Sequence, residues 1–66
     1  MRVTVNGAPA TIEPGSTVAS LVDVRVEDRR HVAVALNGAV VPRGAWARTV
    51  LTAGDSVEVL VPAAGG

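Results

Sequence analysis

The residues of this 66-residue chain with the most readily defined chemistry are the last two, Gly65 and Gly66. Glycine has no Cβ, so a Gly-Gly end can enter a cleft that is too narrow for other residues. Its carboxylate is unhindered, and another enzyme could activate it as an acyl phosphate or an adenylate. A tail over 62–66 can extend about 17 Å, far enough to reach a partner's active site. These features predict modification at Gly66, with both glycines needed for activation.

The chain itself carries few groups that could catalyse a reaction. It has no Cys, and His31 is its only histidine. The carboxylates lack the spacing of a metal-binding loop, and Gly15 and Gly38 do not form a phosphate-binding loop. A chain of this size also has a small core and little room for a ligand pocket. We therefore expect neither an enzyme nor a bound metal or cofactor.

Composition and charge restrict the classes of partner. Hydrophobic residues make up 48% of the chain, which is too many for a disordered protein, and the formal net charge is zero. A nucleic-acid-binding surface would need an excess of basic residues. The sequence has no apolar run long enough to span a membrane and no signal peptide at its start. These features predict a single cytoplasmic domain, monomeric when free, that binds neither nucleic acid nor membranes.

Alternating valines and turn residues predict two strands and a helix in the first part of the chain. The alternation over 2–5 indicates a strand with Val3 and Val5 on one face, and Asn6-Gly7 is a strong hairpin signal. The returning strand is expected over 10–13, after a turn that Pro9 closes. A helix over 18–24 is expected to follow, with the hydroxyl of Thr17 as its N-cap.

The second part of the chain predicts further strands and no second regular helix. A charged loop over 25–30 leads to a strand over 31–36, and Asn37-Gly38 is a second hairpin signal. A short strand over 40–41 follows, and 43–50 shows no clean periodicity. The last strand is expected over 56–61. Its alternation places three residues in the core: Val57, Val59 and Val61.

This order of elements predicts an α+β protein with the β-grasp arrangement. A four- to five-stranded mixed sheet with one main helix on one face satisfies the need to bury one side of each element. We expect this domain to cover residues 1–61, followed by a flexible tail over 62–66 that ends in Gly-Gly.

Two further features concern packing and docking. Trp46 is the only large aromatic residue, and we expect it to be a buried structural anchor. Leu60 is expected on the outward face of the last strand, where Ala33 and Ala35 could share its surface. Such an apolar patch close to the tail is a candidate partner-docking site.

Four segments of the chain match a known pattern: Val34-Ala35-Leu36-Asn37-Gly38, Val41-Pro42-Arg43-Gly44-Ala45-Trp46-Ala47, Gly54-Asp55 and Gly65-Gly66. By these segments the sequence resembles the ThiS sulfur-carrier family of thiamine biosynthesis over nearly its whole length. The most specific segment is the Val-Pro-Arg-x-x-Trp-Ala pattern, whereas Gly-Asp before the last strand and a Gly-Gly end are shared with other ubiquitin-like carriers.

The resemblance implies a β-grasp fold and a cycle of activation at Gly66. A ThiF-like adenylating enzyme would use ATP to adenylate the Gly66 carboxylate. Sulfur from a donor such as a cysteine desulfurase would then replace the adenylate and leave a thiocarboxylate. That group would donate its sulfur to a ThiG-like thiazole synthase. ATP would belong to the activating partner, so the carrier would hold no cofactor of its own.

Two alternatives remain open from the sequence. The chain could carry sulfur for molybdopterin or for another sulfur pathway, since its end is shared with those carriers. It could instead be a small interaction module whose terminal glycines are incidental. A carrier should tolerate no additional residue after Gly66, whereas a module should tolerate one.

Overall fold

One mixed sheet with a single α-helix on one face organises the protein, as the computed structural model shows for residues 1–62. Its five strands lie in the order β2-β1-β5-β3-β4. This agrees with the β-grasp arrangement expected from the sequence. The elements in chain order are β1 (Arg2–Val5), β2 (Ala8–Thr11), α1 (Val18–Arg25), β3 (Ala33–Leu36), β4 (Ala39–Val40), a 3₁₀ helix (Arg43–Arg48) and β5 (Ser56–Leu60).

The centre of the sheet is a parallel pair formed by its first and last strands. β1 lies beside β5 with Thr4 opposite Ser56, while β5 pairs antiparallel with β3 on its other side. Two antiparallel hairpins, β1–β2 and β3–β4, complete the sheet. The last strand therefore lies in the middle of the sheet, and the chain leaves that position directly toward the tail.

Two Asn-Gly turns form the hairpins, as the sequence predicted. Asn6 and Asn37 have φ values of 51° and 50°, and the glycines that follow them have φ values of 80° and 86°. Positive φ at both central residues is the type I′ geometry, which Asn-Gly favours. The two-residue turn starts β2 at Ala8, so the predicted strand over 10–13 was placed too late along the chain.

Pro9 lies within β2 opposite Thr4 rather than closing the turn. Proline has no backbone N–H, but β2 is an edge strand and has one side without a neighbouring strand. The missing donor therefore leaves the β1–β2 ladder intact.

The helix begins where the sequence predicted and buries one stripe of side chains. The Thr17 hydroxyl accepts from the Ser20 N–H at 3.2 Å, and the Ser20 hydroxyl accepts from the Thr17 N–H at 2.9 Å, which is a reciprocal capping box. Val18, Leu21 and Val22 are buried against the sheet. This packing compensates for the low helix propensity of the valines.

Buried valines from the helix and the strands form most of the core. Val61, which the sequence placed inward, is half exposed because β5 ends at Leu60. The remaining inward residues follow the predicted alternation. The core consists of Val3, Val5, Val18, Leu21, Val22, Val32, Val34, Trp46, Leu51, Val57 and Val59.

Most of the segment over 43–50, which shows no clean periodicity, folds as the 3₁₀ helix and buries Trp46. Only 4% of Trp46 is exposed, and its Nε1 donates to the Val41 carbonyl at 2.9 Å. The Arg43 guanidinium lies 4.8 Å from the centre of the indole ring and donates to the Val32 carbonyl at 3.4 Å. Arg43 and Trp46 therefore connect the 3₁₀ helix to Val41 and to the segment that leads into β3, and the helix packs against α1.

Candidate functional site

The candidate site is the face of the sheet that α1 does not cover, at the end of β5 nearest the tail. Val57 and Val59 point into the core, whereas Glu58 and Leu60 point outward. Leu60 is 71% exposed, which confirms its predicted outward orientation. A large apolar side chain thus lies on the surface two residues before Pro62.

The strand register brings further apolar side chains next to Leu60. Ala33 pairs with Leu60 and Ala35 pairs with Glu58, while Val40 of β4 pairs with Ala35. Residues an even number of positions apart on paired strands share one face of a sheet. We call this surface the sheet patch; it consists of Ala33, Ala35, Val40, Glu58 and Leu60, which line one shallow depression together with Val34.

Two members of the sheet patch were not assigned to the docking surface from the sequence. Val40 is 77% exposed, and the two-residue turn at Asn37-Gly38 places it opposite Ala35. A tight hairpin fixes the register, so the turn itself was a signal that could have identified Val40. Glu58 was assigned outward but not to the patch; it gives an otherwise apolar surface one carboxylate.

The start of β5 is held by Asp55 and Asn37. One Asp55 oxygen accepts from the Thr52 N–H at 2.8 Å, and the other accepts from Asn37 Nδ2 at 3.0 Å. The Asn37 carbonyl oxygen accepts from the Ser56 N–H at 2.9 Å. These hydrogen bonds, that from the Thr52 N–H above all, hold the pKa of Asp55 below its ordinary value. The Gly54-Asp55 pair therefore fixes the turn into the central strand.

The lowered pKa of Asp55 predicts a loss of stability in acid. A carboxyl group with a lower pKa in the folded state stabilises the fold above its ordinary pKa, and this contribution disappears as pH falls through the lowered value. We expect the melting temperature of the wild type to fall as the pH decreases below about 4. The same window includes Asp28, whose pKa is lowered by its hydrogen bonds with Arg30.

Thermal melts of Asp55→Asn separate the contribution of Asp55 to the loss of stability in acid from that of Asp28. The amide cannot titrate, and we expect a lower melting temperature at neutral pH with a shallower decrease in acid. Asp28→Asn is the matched control, because its exposed carboxylate pairs only with a surface arginine. Equal acid dependence in the wild type and Asp55→Asn would contradict the assignment.

A groove beside α1 contains two serines, and neither hydroxyl is arranged as a nucleophile. It has a volume of about 410 Å³ between the end of β2 and α1. The hydroxyl of Ser20 is used in the capping box, and the hydroxyl of Ser16 donates to the Glu13 carbonyl at 2.7 Å. The chain's only histidine, His31, is exposed in a turn before β3. Residues 1–62 contain no cluster of side chains that could hold a metal ion.

The predicted modification site lies outside the described residues. Gly65 and Gly66 follow Pro62, the last residue that the structure describes, and the predicted division into a domain over 1–61 and a tail over 62–66 stays a prediction. Within residues 1–62, no helix has the length and apolar character needed to cross a membrane.

Comparisons with known proteins are consistent with this architecture. The ThiS family model matches residues 3–66. A crystal structure of the thiamine biosynthesis protein ThiS from Geobacter metallireducens is 38% identical, with full coverage of both chains and a TM-score of 0.84. An NMR structure of a thiamine biosynthesis protein from the same organism is 38% identical over all of this chain and 88% of that one, with a TM-score of 0.80. No match was found among curated proteins.

Proposed function

The chain belongs to the ThiS family of sulfur carriers in thiamine biosynthesis, and from this membership we propose that its Gly66 carboxylate is the group that carries sulfur. The family consists of small carriers and not of enzymes. The observation that carries the proposal is the family match, which extends through Gly65 and Gly66. Membership in this family favours thiamine over molybdopterin as the pathway that receives the sulfur.

The proposed chemistry has two steps. A carboxylate is a poor acceptor for sulfur because its oxygen is a poor leaving group. A carboxylate oxygen of Gly66 attacks the α-phosphorus of ATP on a ThiF-like enzyme, and pyrophosphate leaves. Hydrosulfide then attacks the acyl carbon, the bond to AMP breaks, and a thiocarboxylate remains. If the donor is instead the persulfide of a desulfurase, the same attack gives an acyl disulfide, and a thiol must reduce its S–S bond to release the thiocarboxylate. The carrier holds no cofactor, since ATP binds to the activating partner.

The sheet patch supports this proposal by its position along the chain. Leu60 belongs to the strand that leads into the tail, so a partner that covers the patch lies within reach of Gly66. An exposed apolar patch of this kind is typical of a docking site. We propose that Leu60, Ala33 and Ala35 contact the activating enzyme and that a ThiG-like thiazole synthase receives the sulfur. A cysteine desulfurase or a similar enzyme would be the source of that sulfur.

The test is reconstitution of the modification. The chain is incubated with a ThiF-like enzyme, ATP and sulfide, and intact mass is measured before and after treatment with a thiol-alkylating reagent. We expect the mass change of sulfur replacing one oxygen, followed by alkylation. The chain has no Cys to compete for the reagent. Oxidation of Met1 or Trp46 adds a similar mass but no alkylation, and a product that is not alkylated would contradict the proposal.

If Leu60 docks the activating enzyme, Leu60→Glu should lower the affinity for that enzyme without lowering the melting temperature. The side chain is 71% exposed, so its replacement should leave the melting temperature nearly unchanged. Placing a second carboxylate beside Glu58 on an apolar contact surface should weaken binding to the activating enzyme by about ten-fold or more. Isothermal titration calorimetry measures this affinity.

Val24→Glu provides the matched control for Leu60→Glu. Val24 is 81% exposed on α1 and lies outside the sheet patch, so its replacement adds the same charge elsewhere. We expect its affinity for the activating enzyme to match that of the wild type. Equal weakening by both substitutions would indicate a general charge effect and would contradict docking at Leu60.

A further inference from the structure

The side chain of Asn6 takes the place of a neighbouring strand along one side of β5. Pairing between β1 and β5 ends at Val5 and Val57, where the chain turns through Asn6 and Gly7. The Val59 N–H donates to Asn6 Oδ1 at 2.7 Å, and Asn6 Nδ2 donates to the Val59 carbonyl at 3.2 Å. The side-chain amide therefore pairs with both polar groups of Val59, as a peptide group of an adjacent strand would.

The turn alone does not require this pairing. Asn6 needs a positive φ, which Gly or Asp would also tolerate in a type I′ turn. Glycine would leave both polar groups of Val59 without their partner on that side. Aspartate could accept from the N–H, but its carboxylate would lie against the Val59 carbonyl with no proton to donate. Only asparagine, among these turn-compatible residues, supplies both the acceptor and the donor.

Asn37 has the same backbone role and holds the opposite end of β5. Its φ is 50°, and its side chain bonds to Ser56 and Asp55, where the strand begins. Asn6 bonds to Val59, three residues before Pro62. The two asparagines thus form a matched pair: each occupies a tight turn, but only Asn6 holds the end of the strand from which the tail departs.

We propose that Asn6 is a positioning residue for the activation of Gly66. On the β3 side, Leu60 is held by its pairing with Ala33, and on the β1 side Val59 is held by Asn6. Without the amide, the end of β5 is held on one side only, and the direction in which the chain leaves the sheet varies more widely. Reaction of a carboxylate with ATP depends steeply on its placement. The inference rests on the proposed function of Gly66.

The test compares Asn6→Gly with Asn37→Gly in adenylation by the activating enzyme. Glycine tolerates both turns, so both full-length chains should fold, and assays are run below both melting temperatures. We expect Asn6→Gly to lower kcat by about ten-fold with little change in KM, because the sheet patch that docks is intact. We expect Asn37→Gly to keep a near-normal kcat. Asn6→Asp, which retains the acceptor, should fall between the wild type and Asn6→Gly.

Amide hydrogen exchange gives a second readout that does not depend on the enzyme. Exchange at Val59 should accelerate in Asn6→Gly and stay slow in Asn37→Gly, because only the first variant loses the acceptor of that N–H. Equal kcat values for the two glycine variants, or a loss confined to KM, would overturn the positioning role alone. A wild-type chain that is never adenylated would overturn the proposed function and this inference together.

Discussion

Deleting Gly66 is expected to abolish formation of the thiocarboxylate and to leave the fold unchanged. The deletion makes Gly65 the terminal residue, so the carboxylate follows one glycine instead of two and lies one residue closer to the sheet along the chain. Adding one residue after Gly66 should have the same effect, because the carboxylate then belongs to a residue that does not fit a cleft shaped for glycine. Intact mass and thiol alkylation measure the product, and circular dichroism measures the fold.

Ala63→Ser is the matched control for these end variants. It changes the tail and keeps both glycines and the terminal carboxylate, so we expect it to be modified as the wild type is. All of these changes lie outside residues 1–62, so every contact between described residues is kept. If the extended chain is modified and alkylated as well as the wild type, the carrier proposal fails and an interaction module takes its place.

Replacing Trp46 with Ala is expected to unfold most of the protein. The side chain is 4% exposed, and it fills a core otherwise built from Val and Leu. Losing a buried Trp typically costs about 3–5 kcal/mol of the free energy of unfolding. A domain of this size is stabilised by about 3–5 kcal/mol in total. Far-ultraviolet circular dichroism at 25 °C should therefore report a largely unfolded chain.

Trp46→Phe separates packing from hydrogen bonding at the same position. Phenylalanine keeps much of the apolar area but cannot donate to the Val41 carbonyl, a bond of 2.9 Å in the wild type. We expect it to fold with a free energy of unfolding lower by about 1–3 kcal/mol. A cooperative melt of Trp46→Ala close to that of the wild type would show that the core does not depend on this residue.

Local patterns predicted most of the fold because their signals are short-range. Alternation placed β1 and β5, Thr17 capped α1, and both Asn-Gly pairs formed type I′ turns. The 3₁₀ helix was not predicted, because six residues with a tighter repeat do not produce an apolar stripe of the α-helical period. Its position depends on Trp46 and on Arg43, whose contacts come from tertiary packing.

The sequence predicted which side chains of the candidate site face outward, but not the hydrogen bonds that hold the end of β5. Alternation along β5 placed Leu60 outward, and the expectation that Ala33 and Ala35 share its face agrees with the register. The hydrogen bonds between the Asn6 side chain and the Val59 backbone join residues from opposite ends of the chain, and no local pattern signals such a contact. Gly66 lies outside the described residues, and its residue type and position in the sequence are what point to it.

The parallel pairing of β1 with β5 also determines when the protein can fold. Contacts between distant parts of a chain form slowly, because a long loop must close before they can stabilise anything. During synthesis, the β1–β2 hairpin and α1 are available early, but β1 lacks its central neighbour until residues 56–60 have been made. A product truncated before β5 lacks the middle of its sheet. The fold is therefore completed only when the strand that leads into the tail has been made, so a truncated chain lacks the folded sheet patch that we propose for docking.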